Sequence, residues 1–305
     1  MTEPLATSPS LALDAGQTGI RVRVPSTGFA RDYPGAQTNR DLLPQLAEAV
    51  CAAASETGPL GTVAIGTTGL TDADNDPGRL LALCADAGVA RVILAHDSIT
   101  SYLGALGQRH GVVVAAGTGV VTLGVGPAGL ARVDGWGNIM GDAGSGYWIG
   151  RAAMDAVMRG YDGRGPSTAL TPVVTARFPR LEAAYIEVQT DPDRVRLVAG
   201  FARAVSELAA VDAVAAGICV AAGEELALSA ATAVSRSGLG AEPIICRVGN
   251  VFGSAAILDA FAAGLRRRCP GARLVDAAGD GLAGAEALLT LPPDHVLAGH
   301  IAVAG

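Results

Sequence analysis

Two apolar stretches of the chain share one plan. Leu11–Ala15 is an apolar run interrupted only by Asp14, a Gly-Gln-Thr-Gly turn follows, and Ile20-Arg21-Val22-Arg23-Val24 then alternates apolar and charged side chains. Alternation at period two is the signature of a half-exposed strand, so this segment reads as strand, tight turn, strand. Residues 112–116, the turn Gly117-Thr118-Gly119 and residues 120–125 repeat the plan, and Thr18 and Thr118 are each followed by glycine. The repetition suggests an internal duplication. Residues 111–131 carry no charge and have the length of a membrane helix. Their six glycines, one proline and short valine runs predict two strands and a turn instead.

Beyond each hairpin, helix-like and strand-like segments alternate. In residues 38–54, Leu42, Leu43, Leu46, Ala49 and Val50 fall on one helical face. Short strands are predicted over 61–66, 91–95 and 244–248. Helices are predicted over 78–88, 97–110, 145–159, 193–210, 212–235, 253–268 and 281–289. This alternation predicts a layered α/β protein built of two related lobes. The expected division is 1–109 for the first lobe and 110–289 for the second, with 290–305 a candidate to rejoin the first.

Composition narrows the function classes. Half of the 305 residues are hydrophobic, enough for a large core. Every basic residue is arginine, which excludes a P-loop lysine and a lysine Schiff base. The net charge is −7, and the one basic cluster, Arg266-Arg267-Arg268, reads as a solvated helix end, so a nucleic-acid partner is not expected. Five cysteines lie scattered without CxxC spacing, as in a reduced protein. MTEPLATSPS has neither a basic n-region nor a long apolar core. The expectation is a cytoplasmic protein with no membrane partner.

Several residues carry candidate chemistry. Asp14 closes an apolar strand and opens the turn holding Gly16, Thr18 and Gly19. Glycine amides and a threonine hydroxyl suit an anion, and a carboxylate there suits magnesium; an ordinary Asp-x-Gly turn has the same sequence. Two such turns facing each other would hold a polyphosphate from both sides. Asp97 follows the apolar run VILA and His96, and opens a helix. It reads equally as an N-cap and as a general base at a strand's carboxyl end. GWGNIMGDAGSGYWIG contains both tryptophans of the chain among glycines. That composition fits a glycine-rich loop plugged by aromatics, or a polar pocket with an apolar floor.

DAGQTG, AHDS, AAGTG, GWGNIMGDAGSGYWIG and VGNVFGS, in this order, resemble the N-acetylglucosamine kinase and BadF/BadG/BcrA/BcrD ATPase family of the actin, hexokinase and Hsp70-like superfamily. The resemblance implies two ribonuclease-H-like lobes with a cleft between them. It implies ATP-dependent phosphorylation of a sugar hydroxyl, O6 of an amino sugar, with Mg2+. Carried over residue by residue, it gives Asp14 to the metal and Asp97 to the base. Gly16, Gln17, Thr18, Gly19, Gly117, Thr118 and Gly119 fall to the phosphates. Gly249, Asn250 and Ser254 fall to the adenosine, and Asn39, Gly135, Trp136, Gly137 and Asp142 to the sugar. Asn39 also reads as a helix N-cap. Homodimers are common among such kinases. The chain departs from the family pattern at Ala15-Gly16-Gln17-Thr18, at Val120-Val121 in place of a polar pair, and at Asn138 in place of histidine. Two other readings follow: a sugar sensor that binds without turnover, and an ATPase that activates a 2-hydroxyacyl-CoA dehydratase.

Overall fold

The alternating positions of the first hairpin separate inside from outside. In the computed structural model, which describes residues 8–16, 18–37 and 40–305, β1 (Leu11–Ala15) pairs antiparallel with β2 (Ile20–Val24). Ile20, Val22 and Val24 are buried while Arg21 and Arg23 stay half-exposed. β3 (Phe29–Tyr33) continues the meander. After α1 (Leu42–Thr57), β4 (Thr62–Thr67) joins the other side of β1 in parallel. Then α2 (Pro77–Leu83) leads to β5 (Arg91–His96), parallel to β4, and to α3 (Asp97–Leu106).

The plan then starts again. β6 (Gly111–Ala116), β7 (Val120–Gly126) and β8 (Gly129–Val133) form an antiparallel meander, so the uncharged stretch is sheet. Seven helices follow: α4 (Gly137–Met140), α5 (Gly146–Tyr161), α6 (Thr171–Arg177), α7 (Leu181–Thr190), α8 (Arg194–Ala199), α9 (Ala202–Leu208) and α10 (Ala213–Arg236). β9 (Ile244–Val248) returns parallel to β6, and α11 (Ala255–Arg268) leads to β10 (Arg273–Asp276) beside β9. Last come α12 (Gly281–Leu288) and β11 (Ala302–Ala304).

One sheet has the order β11-β5-β4-β1-β2-β3 and the other β10-β9-β6-β7-β8. Without β11 the two orders are the same, strand for strand, as a duplication requires. The chain divides into two compact units, one running up to Arg109 and including Ala277–Gly305, the other spanning His110–Asp276. The expected boundary at 289 is therefore corrected, because α12 belongs with the first unit. Its Leu282 and Ala285 are buried against Ala12 of β1, and its length lies along α3.

Other expectations shift for local reasons. The helix expected over 38–54 runs from Leu42 to Thr57, and its expected start at Thr38 lies outside the described residues. The helix expected over 78–88 is α2, capped by Asp76, followed by a single 3-10 turn, Ala85–Ala87. The helix expected over 193–210 breaks into α8 and α9. By length and composition α10 is apolar enough to cross a membrane. Its Ala215, Cys219, Ala222, Leu226 and Ala230 are core residues of the second unit. Cys84, Cys219 and Cys246 are buried, and Cys51 and Cys269 are half-buried.

The α12–α3 contact depends on missing side chains. A Cβ at Gly284 would lie 1.7 Å from the Thr100 carbonyl oxygen, and one at Gly104 would lie 1.9 Å from that of Asp280. Gly217, exposed on α10, would meet nothing within 4 Å. Gly284→Ala should cost about 1–3 kcal/mol through overpacking. Gly217→Ala should add roughly 0.5–1 kcal/mol by removing helix-interior glycine entropy. Calorimetric melting should therefore move down for the first and up for the second; equal melting temperatures would contradict the packing described.

Candidate functional site

In the second unit the β6–β7 turn is closed by the Gly117 amide donating to the Gly119 carbonyl at 2.8 Å. The first turn of α5 runs up against it. The amides of Gly146 and Tyr147 donate to the carbonyls of Gly117 (2.8 Å) and Thr118 (3.0 Å), while Ser145 caps the helix by accepting from the Trp148 amide. Thr118 is exposed at the tip. The positive end of α5 thus lies beside the turn, an arrangement that favours an anion there.

A cavity of about 690 Å³ opens from this turn. Gly117 and Thr118 line it, together with Asn250 and Ser254, the residues following β9. Ile149, Val251 and Ile257 supply apolar wall, and Arg196, Arg203, Ser206 and Glu207 of α8 and α9 supply a polar one. Arg203 and Glu207 pair at 2.8 Å. The volume lies in the range of small-molecule sites. Gly249 does not line the cavity, but at φ +101° it lets the chain pass over β6, where a Cβ would lie 2.3 Å from the Ala116 carbonyl oxygen. The α8–α9 wall carries no local signal, because residues 193–210 read as one ordinary helix.

The tryptophan loop is pinned by a residue the sequence reading passed over. Asp134, at φ +59°, accepts from the amides of Gly135 (2.7 Å), Asp142 (2.7 Å) and Ala143 (2.8 Å), so one carboxylate holds both ends of the loop. Arg132 stacks over Trp136 at 4.6 Å and donates to the Gly135 carbonyl. Gly137 opens the short helix α4, whose Ile139 and Met140 are among the most exposed apolar side chains. Asp142 is buried, also at φ +59°, with a carboxylate oxygen 2.8 Å from where a Gly119 Cβ would stand. The loop thereby reaches the β6–β7 turn. Burial pushes the Asp142 carboxyl up from its ordinary value and Asp134 adds to the rise, while the amides of Val120 and Gly137 oppose it. Val120 is a core residue, and half-buried Val121 lies under Gly135. Val121 therefore meets the loop with its side chain and Val120 with its backbone, its amide bonding Asp142.

In the first unit, Asp14 sits at the end of β1 and its Oδ2 accepts from Arg21 at 2.6 Å. Arg21 also bridges to Asp280, the residue that caps α12 by accepting from the Ala283 amide. Burial raises the Asp14 carboxyl above its ordinary value; Arg21 works against this, and the charges of Asp280 and Asp97 add to it. Burial also pushes Asp280 up, but the Ala283 amide and Arg21 outweigh it and hold that carboxyl below its ordinary value. In the turn, the Gly16 amide donates to the Gly19 carbonyl, and Thr18 is exposed. Gln17 and Asn39 lie outside the described residues.

Asp97 is the first residue of α3 but not its cap. His96 takes that place and accepts from the Ser98 amide at 3.2 Å through Nδ1. The N-cap reading of Asp97 is therefore corrected. Its carboxylate is left half-exposed at the end of β5, with Oδ1 2.8 Å from His96 Nδ1.

The model of the BadF/BadG/BcrA/BcrD ATPase family matches residues 25–289. An N-acetylmuramic acid/N-acetylglucosamine kinase of Clostridium acetobutylicum is 36% identical over 110 residues, 35% of this chain and 36% of that protein. An N-acetyl-D-glucosamine kinase of Dictyostelium discoideum is 41% identical over 76 residues, 25% of this chain and 24% of that protein. The matched segments thus span about a third and a quarter of those relatives. A crystal structure from Chromobacterium violaceum, provisionally named an N-acetylglucosamine kinase, superposes with a TM-score of 0.68 at 25% identity, covering 93% of this chain and 99% of that one. With most of its length matched by the family model, and with the same strand order in both units, the chain belongs to the BadF/BadG/BcrA/BcrD ATPase family.

Proposed function

We propose that the protein is an ATP-dependent sugar kinase, acting in the cytoplasm, that phosphorylates O6 of an amino sugar with Asp97 as general base. One observation carries the reading. Residues picked from the sequence for phosphate (Gly117, Thr118) and for adenosine (Asn250, Ser254) line a single cavity in the second unit. The kinase names of the two curated relatives and of the C. violaceum structure support the acceptor class.

Phosphoryl transfer needs alignment and charge neutralisation more than covalent help. The turn at Gly117–Gly119 and the positive end of α5 would receive phosphate, and the apolar walls at Ile149 and Ile257 the base. The loop held by Asp134, with Trp136 and Asp142, would bind the sugar. Asp97, free of any capping duty, would accept the hydroxyl proton.

Asp14 fits a magnesium ion brought in by the nucleotide. Its Oδ2 is engaged by Arg21, Asp97 and Asp280 add negative charge nearby, and no preformed cluster of three metal-binding side chains exists among the described residues. Magnesium is commonly held in this way, through one or two carboxylates, waters and substrate phosphates. When bound it would neutralise charge on the phosphates.

An assay of ADP release over N-acylated amino sugars, free amino sugars and hexoses should find turnover with an amino sugar. Sugar binding by calorimetry with no ADP formed would favour the sensor reading instead. Asp97→Asn should lower kcat by about 10²- to 10⁴-fold and leave nucleotide affinity unchanged. Asp134→Ala orphans three amides, each at a cost of about 1–3 kcal/mol where water cannot replace the carboxylate. If the loop binds sugar, sugar KM should rise about tenfold while nucleotide KM stays constant, a factor worth about 1.4 kcal/mol. A rise in nucleotide KM alone would remove the loop from the sugar site.

A further inference from the structure

The first hairpin sets a cation against the carboxylate assigned to the metal. Asp14 of β1 stands directly opposite Arg21 of β2, so the two side chains are cross-strand neighbours by register. Arg21 Nη2 reaches Asp14 Oδ2 at 2.6 Å, and its Nη1 reaches Asp280 Oδ2 at 2.5 Å. Only 19% of the Asp14 side chain is exposed, so this pair is screened less than a surface one. Arg23 makes a parallel bridge from β2 to Glu286 of α12 at 2.7 Å, but from opposite Ala12. β2 is thus tied to α12 twice, and only the Arg21 tie also covers Asp14.

What Arg21 adds there is charge. The carboxylates of Asp280 and Asp97 lie within electrostatic reach of Asp14. Carboxylate oxygens are the ligands that magnesium and manganese prefer. Arg21 takes up Oδ2. Oδ1 faces the first residue of α12, Gly281, where a Cβ would lie 2.6 Å away, so no side chain covers that oxygen from the helix. We propose that Arg21 is a built-in counter-ion that keeps Asp14 from holding a free divalent cation, so that magnesium enters only with its nucleotide. This rests on the kinase reading above. Arg21 is a positioning residue in this role: it fixes the carboxylate through one oxygen and leaves the other for the ion. A carboxylate already paired attracts a free ion weakly, and phosphate oxygens supply the negative charge that the pairing has removed.

Manganese, which takes the same oxygen ligands, is the probe, followed by electron paramagnetic resonance without nucleotide. Arg21→Gln keeps a donor for the two carboxylates and removes the charge. It should bind manganese at least about tenfold more tightly than the wild type, the size of one charge acting on a nearby divalent ion through water. Arg21→Gln combined with Asp14→Asn should lose that gain. Arg23→Gln removes the same charge from the same strand and should bind manganese like the wild type. Wild-type affinity in Arg21→Gln, an equal gain in Arg23→Gln, or a gain that survives Asp14→Asn would each overturn the inference. Should Arg21→Gln fail to fold, the wild type carries the test. Without nucleotide, wild type and Asp14→Asn should leave the manganese spectrum equally unchanged, and a site that Asp14→Asn removes would overturn the inference. With manganese–ATP, calorimetry should show weaker binding by Asp14→Asn than by wild type. Equal binding there would refute Asp14 as the metal residue, and so the reading beneath the inference rather than the role of Arg21.

Discussion

Register in the two parallel ladders places the chemistry. In the first unit Asp14 pairs with Gly66, Gly66 with Ala95, and Thr67 with His96. The turn after β1 and the residue after β5 therefore emerge at the same edge of the sheet. In the second unit Ala115 pairs with Val248, which brings the Gly117–Gly119 turn beside Gly249 and Asn250. A shift of one residue in either ladder would turn each strand's side chains to the opposite face. Register is held by burial: Leu11, Leu13, Val63 and Ile65 in one ladder and Val112, Val114 and Ile245 in the other are fully buried.

Much of this was legible in the sequence. Both hairpins could be read because apolar, alternating strands end at glycines, a local signal. β3, β8, β10 and β11 were not read, and each belongs to a class that hides. Phe29–Tyr33 and Arg273–Asp276 are largely exposed, and Ala302–Ala304 has three residues. Such strands are set by the neighbour that offers free amides and carbonyls rather than by their own pattern. The return of α12 to the first unit was hidden for a similar reason. GLAGAEAL looks like any small-residue helix until Gly284 is seen against the Thr100 carbonyl.

At the candidate site, the sequence exposed what glycine and tryptophan mark and missed what long-range pairing decides. Asp134 precedes GWG, but its three amide partners lie up to nine residues away and depend on two positive φ angles. Arg21 looked like the exposed half of an alternating strand. Its two carboxylates lie 7 and 259 positions away in the chain. Asp97 illustrates the opposite case. Its two readings were equal in sequence, and the structure removes the cap by giving it to His96.

The two units share a topology and differ in charge. Around the end of β1 the first gathers Asp14, Asp97 and Asp280, with Arg21 paired to two of them and Arg23 within reach of Asp280. The corresponding turn of the second lies against the positive end of α5, with Arg196 and Arg203 across the cavity. After burial, the charges of Asp280 and Asp97 add to the rise at Asp14. On the kinase reading that excess has a use. An edge short of cations takes up a metal-bound polyphosphate more readily than a free one. Within the second unit, the Gly117–Gly119 turn beside the positive end of α5 would on that reading receive phosphate without a lysine, in a chain that contains none.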